Sequence, residues 1–162
     1  MWIPVALLMF CAAVTTTAQN FSLETKSDTL SFLLLSDGHT TDRWRLPFPV
    51  YQLCVGDVDG DGIDEAIVGV IKTTRFDPNK ARRLFIFKKH HGRIRAMWMG
   101  SQLGGILRDF RFVNGHVLTL QTTTDNRYVV LEHIWRKFGL GAGHFLAKGV
   151  DEQEALRIFY HQ

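Results

Sequence analysis

The chain has 162 residues, of which 46% are hydrophobic and 22% charged, a length that suits one domain with a real core. Mean hydropathy near zero and 12% aromatics exclude a disordered tail or a multi-span membrane protein. Nineteen Lys and Arg against sixteen Asp and Glu leave a net charge of only +3, although the pI is near 9.0.

Met1–Ala18 (MWIPVALLMFCAAVTTTA) contains no charged residue. Its apolar run from Trp2 to Val14 precedes small residues, with Thr16 and Ala18 where a signal peptidase reads. The layout predicts a secretory signal cleaved after Ala18, although no Lys or Arg precedes the run. It is too short, and wrongly flanked, for a membrane span. Cleavage removes Cys11 and leaves Cys54 as the one cysteine, so no internal disulfide is expected. Cys54 sits in the apolar run VYQLCV, which predicts a buried, inert thiol.

Beyond the signal, short apolar runs alternate with turn residues, and no segment keeps a 3.6-residue period. Strands are predicted at about 30–36, 41–46, 50–56, 65–73, 83–89, 93–99, 106–113, 116–122, 127–135 and 143–148. Asp37-Gly38, Gly92, Asn114-Gly115 and Asp125-Asn126 mark the hairpin turns. Glu154–Tyr160 is read as a closing strand in preference to a short helix.

Three hairpins resemble one another: SFLLLSDGHTTDRW, LFIFKKHHGRIRAMW and VVLEHIWRKFGLGAGHF. Gly38, Gly92 and Gly139 each stand six residues before an aromatic (Trp44, Trp98 and Phe145), and the glycines are 54 and 47 positions apart. That interval matches a four-stranded propeller blade. VYQLCVGDVDGDGIDEAIVGV and LRDFRFVNGHVLTLQ correspond in the same way as the other half-blade. The strands are apolar on both faces, as in Leu84-Phe85-Ile86-Phe87, which suits a sheet sandwiched between neighbours. The expected fold is all-β: an antiparallel meander of about three propeller-like blades, closed as a barrel-like sheet or left as an incomplete propeller. A single β domain over 19–162 would hold a calcium-loop blade at about 50–99 and a second blade at about 105–148. An irregular β-sandwich is the alternative.

One loop carries specific chemistry. Asp57-Val58-Asp59-Gly60-Asp61-Gly62-Ile63-Asp64-Glu65 places acids at positions one, three, five and nine, where alternate residues of a curled loop point inward. Ca²⁺ takes six to eight oxygens at about 2.3–2.6 Å. Gly60 and Gly62 permit the curl. Ile63 would offer its backbone carbonyl while its side chain turns into the core, and Glu65 would close the ring. An EF-hand is excluded: position twelve is Val68, and an apolar strand, Ala66–Ile71, follows in place of a helix. An Asp/Gly turn that stays empty is the bland alternative. The loop resembles the calcium loop of FG-GAP or VCBS-type repeats, known from integrin α-chain propellers. The resemblance implies that Asp57, Asp59, Asp61, the Ile63 carbonyl and Glu65 are ligands of one structural Ca²⁺. The wider chain, through LPFPVYQLCVGDVDGDGIDEAIVGVIKTTRFDP and RRLFIFKKHHG, is similar to small secreted bacterial proteins sometimes labelled "nuclear receptor-binding factor". That label implies no mechanism in these residues.

Other constellations are weaker. His90, His91, His116, His133 and His144 show no zinc-ligand spacing, and no nucleophile elbow, Walker loop or dinucleotide fingerprint is present. Gly104-Gly105 and Gly139-x-Gly141-x-Gly143 read as β-turns with no phosphate-cradling helix behind them. Lys88, Lys89, Arg93 and Arg95 form a basic hairpin tip suited to weak polyanion contact, and nucleic acid is the poorer expectation. Trp44, Trp98 and Trp135 could stack on sugars, but the repeated spacing of Trp44 and Trp98 favours packing between blades. No catalytic residue is expected. The reading is a secreted or periplasmic, non-catalytic binding module whose partner is an envelope protein or glycan. A secreted hydrolase or lyase acting on an extracellular polymer is the rival. Removing the signal leaves about 144 residues, just under three blades, where propellers usually have about four to eight. Phe21–Lys26, the tail strand or a homo-oligomer would have to supply closure.

Overall fold

The computed structural model describes residues 20–100 and 102–161, so the proposed signal segment lies outside the described residues. Among the described residues, eleven antiparallel strands form three sheets, each a meander of consecutive strands, and none of these sheets closes into a barrel. The first sheet holds β1 (Asn20–Ser27), β2 (Leu30–Ser36) and β3 (Thr41–Leu46). The second holds β4 (Val50–Gly56), β5 (Glu65–Lys72), β6 (Ala81–His90) and β7 (Arg93–Met99). The third holds β8 (Ile106–Val113), β9 (His116–Thr122), β10 (Tyr128–Arg136) and β11 (Gly139–Val150), and a helix, α1 (Glu152–Tyr160), follows it. The three hairpins that resemble one another in sequence are thus the last two strands of each sheet.

The layers explain the apolar pattern. Phe21, Leu33, Leu35 and Leu46 of the first sheet pack against Val68, Val70, Phe85 and Phe87 of the second. Ile67, Leu84 and Ile86, on the second sheet's opposite face, pack against Leu107, Phe110 and Val117 of the third. Leu118, Leu120 and Val130 then meet Ala155 and Phe159 of α1. β2, with one covered face, alternates between buried and half-buried residues, whereas six consecutive residues of β5 are buried. Polar ties cross each interface. The Ile94 N–H donates to Asp42 Oδ2 (2.7 Å), Gln52 Nε2 to the Phe110 carbonyl (2.6 Å) and Arg111 Nη1 to the Phe159 carbonyl (2.6 Å).

Two expectations are corrected. The tail is a helix, because Asp151 caps it by accepting the Glu154 N–H (2.9 Å) and Glu152 and Glu154 lie in the positive first turn. Ala155 and Phe159, four apart, then point at the third sheet. Gly139, Gly141 and Gly143 lie within β11 and not in turns; a Cβ on Gly141 would meet Arg136 at 2.5 Å, and one on Gly143 would meet the Glu132 carbonyl at 2.8 Å. Twelve residues of β11 face nine of β10 through register shifts that these close approaches accompany. Cys54 is half-buried against the second core. Trp44 packs on Phe87 (5.5 Å between centroids), and Trp98 joins the second core, so the shared spacing does mark packing between sheets. Phe145 breaks the pattern at 44% exposure.

Gly69 lies in the close-packed seam between the second and third sheets: an added Cβ would lie 2.5 Å from the Tyr51 ring of its own sheet and 2.7 Å from Phe110 of the third. Gly69→Ala is therefore expected to cost about 1–3 kcal/mol by overpacking. Gly104→Ala, with nothing within 4 Å of the new Cβ, is expected to change stability by less than about 0.5 kcal/mol. Urea midpoints of the two variants against the parent check this, and equal midpoints would contradict it.

Candidate functional site

The acidic loop joins the first two strands of the middle sheet. β4 ends at Gly56, where a Cβ would strike the Phe112 ring at 2.0 Å, and β5 begins at Glu65, paired with Gly56. Between them Gly60 and Gly62 adopt φ of +77° and +85°, the left-handed region that favours glycine. Asp57 organises the curl: its Oδ1 accepts the Gly60 N–H (2.7 Å) and the Asp61 N–H (3.1 Å), and its Oδ2 accepts the Gly62 N–H (2.9 Å). Asp59 Oδ1 accepts the Asp61 N–H (3.2 Å), and Asp61 Oδ1 accepts the Ile63 N–H (2.8 Å).

The curl brings one carboxylate oxygen each of Asp57, Asp59 and Asp61 within 4.8 Å of one another, a group that could hold a metal ion. Oxygens on opposite sides of Ca²⁺ stand up to about 5 Å apart, so the spacing fits that ion. Asp57 and Asp59 are half-buried and Asp61 exposed, with Lys88 Nζ 3.9 Å from Asp59. Glu65 is not one of that group. It is 1% exposed, and its Oε2 accepts the Val58 N–H (2.9 Å), which braces the loop from beneath. Burial first, and then the charges of Asp59 and Asp61, push the Glu65 carboxyl up to about 7 against the pull of the Val58 N–H. The Ile63 side chain is 45% exposed and not in the core, because β5 starts only at Glu65 and Ile63 still projects with the loop. Asp64 is exposed. An open groove beside the loop is lined by Asp57, Asp59, Phe112, His116 and Trp135.

The basic hairpin divides by register. Lys88 pairs with Arg95 and His90 with Arg93, so these four share one face, while Lys89 faces the other way beside buried Ile94. His133, grouped in sequence with scattered histidines, lies elsewhere in a buried polar cluster. Its Nε2 is 2.9 Å from Thr119 Oγ1 and 3.3 Å from Gln121 Nε2. Thr119 and Gln121 sit at alternate positions of β9, and that spacing was the available signal for a shared face.

Burial pushes the His133 imidazole down to about 4, opposed by the Gly141 backbone, so the ring is neutral near pH 7. A depressed imidazole contributes stability that is present above about 6.5 and lost as pH falls through about 4. Glu65, being raised, contributes the opposite slope between 4.5 and about 7, so the comparison needs a variant. The stability advantage of the parent over His133→Gln is expected to shrink by on the order of 3 kcal/mol between pH 6.5 and 4. Urea midpoints along that series check it, and a pH-independent difference would contradict a neutral buried ring.

Searches of protein-family models, of curated proteins and of solved structures find no match to this chain, so no relative's activity bears on the Asp57–Asp61 loop.

Proposed function

We propose that the chain is an exported, non-catalytic binding module in which the acidic loop holds one structural Ca²⁺. The observation that carries this reading is the convergence of three carboxylates within 4.8 Å on a loop curled by its own backbone bonds. Acids held so close repel one another unless a cation neutralises them. Asp57, Asp59 and Asp61 would supply oxygens directly, with the Ile63 carbonyl and Glu65 completing the set that the FG-GAP/VCBS-type loop implies. A bound ion would tie β4 to β5 and so rigidify the sheet that both neighbours pack on. Face-to-face sheets built from recurring hairpins support a propeller-like arrangement of blades, the first with three strands among the described residues.

An open groove with an aromatic lining supports binding. Trp98, Trp135 and Phe138 line an open groove of about 670 Å³ beside Arg136 and Lys137, and Phe138 is 90% exposed. Aromatic rings next to cations suit an anionic glycan or an envelope protein, and Lys88, Arg93 and Arg95 could add weak polyanion contact. Among the described residues no helix is long and apolar enough to cross a membrane. The rival hydrolase or lyase reading has His133 in its favour. Its hydrogen-bond partners are Thr119 and Gln121, however, and among the described residues Nδ1 has no carboxylate to orient or charge it as a general base.

Thermal melts in calcium and in chelator test the loop. Calcium is expected to raise the melting temperature of the parent and of Asp64→Ala, and to leave Asp61→Ala unmoved. Identical parent melts with and without calcium would overturn the metal assignment. A glycan array and envelope pull-down, each with Phe138→Ala as control, test the partner class.

A further inference from the structure

A second site lies on the third sheet, away from the acidic loop. Thr119, Gln121 and His133 are 0%, 2% and 4% exposed, three polar side chains on one face of β9 and β10. Their hydrogen bonds fix each other's orientation. The Gly105 N–H must meet an acceptor, so Gln121 turns Oε1 to it (2.7 Å). Gln121 Nε2 therefore donates towards Thr119 Oγ1 (2.7 Å) and His133 Nε2 (3.3 Å). His133 Nε2 is then an acceptor, and the ring proton sits on Nδ1, which approaches the Gly141 backbone but makes no hydrogen bond of normal geometry among the described residues. An orphaned buried donor is costly, and a ligand acceptor would relieve it.

His133 and Gln121 line a cavity of about 380 Å³. Leu103, Leu131, Leu140 and Phe145 supply apolar walls, and Lys148 stands at the exposed edge with its ammonium 5.2 Å from the Phe145 ring centroid. Lys148 forms no ion pair among the described residues. An apolar chamber with a few convergent polar groups is the usual make-up of a small-molecule site. We propose that this cavity binds a small monocarboxylic acid, its aliphatic or aromatic body against Leu131, Leu140 and Phe145, its carboxylate accepting from His133 Nδ1 and paired with Lys148. The neutral imidazole and the apolar walls disfavour a multiply charged anion, and the lone ammonium disfavours a cation. The site goes beyond the calcium-loop reading and does not depend on it.

Isothermal titration of the full chain with octanoate, and with octan-1-ol as its uncharged counterpart, tests the assignment in calcium and in chelator. Saturable one-to-one binding of octanoate, tighter than that of octanol, is expected. Lys148→Met, at an exposed position, is expected to weaken octanoate about two- to fivefold, as loss of a partly solvated ion pair would. Ala142→Trp, also exposed on the cavity lining, is expected to abolish binding while leaving the fold intact, as circular dichroism would report. Absence of saturable binding, undiminished binding by Ala142→Trp, or octanol bound as tightly as octanoate would each overturn the proposal.

Discussion

Burial of the middle sheet on both faces is the constraint on which the rest of the structure depends. Val68, Val70, Phe85 and Phe87 face the first sheet, while Ile67, Leu84 and Ile86 face the third. Neither neighbour can be removed without exposing a full apolar face, at roughly 25 cal/mol for each Å² returned to water. The outer layers settle their own faces differently. The first sheet sets Phe32 and Leu34 outward between polar residues of its two edge strands, with Arg43 bonded to Glu24 and lying over the Phe32 ring, and the third is covered by α1.

That arrangement decides where the acidic loop sits and what it can do. β5 cannot shift without disturbing two cores, so Glu65 and the Val58 N–H it binds form a fixed base. On that base the Gly60 and Gly62 turns curl the exposed residues, and Asp57 holds the curl through three backbone N–H groups. The three carboxylates are thus presented by a preorganised backbone. Exposed Phe138 of the β10–β11 turn lines the neighbouring groove, and Trp135 lines both that groove and the one beside the loop.

Much of this was legible in the residues. Turns at Gly38, Gly92 and Asn114-Gly115 announce themselves because each needs a positive φ, and all three adopt it. Strands buried on both faces show as unbroken apolar runs, so β5 and β6 were readable to within two residues. The helix was misread because Leu156-Arg157-Ile158-Phe159-Tyr160 has strand-like composition. The capping pair Asp151 and Glu154 and the four-residue spacing of Ala155 and Phe159 were the contrary signals. The β11 glycines look like turn residues, and only the close passage of Arg136 and the Glu132 carbonyl shows why a strand needs them. The alternate acids gave the Asp57–Asp61 convergence directly. The standing of Glu65 as a brace depends on its burial, and the Thr119–Gln121–His133 cluster depends on pairing between strands; neither can be seen in one segment alone.

The central claim is that the preorganised loop is a calcium site. Its most direct test is calorimetric titration of chelator-stripped protein with Ca²⁺, in parallel with Asp57→Ala, which removes both a proposed ligand and the anchor of the curl. The account predicts saturation at one ion per chain for the parent and no saturable binding for the variant. A parent that takes up no calcium, or a variant that binds it equally well, would contradict it.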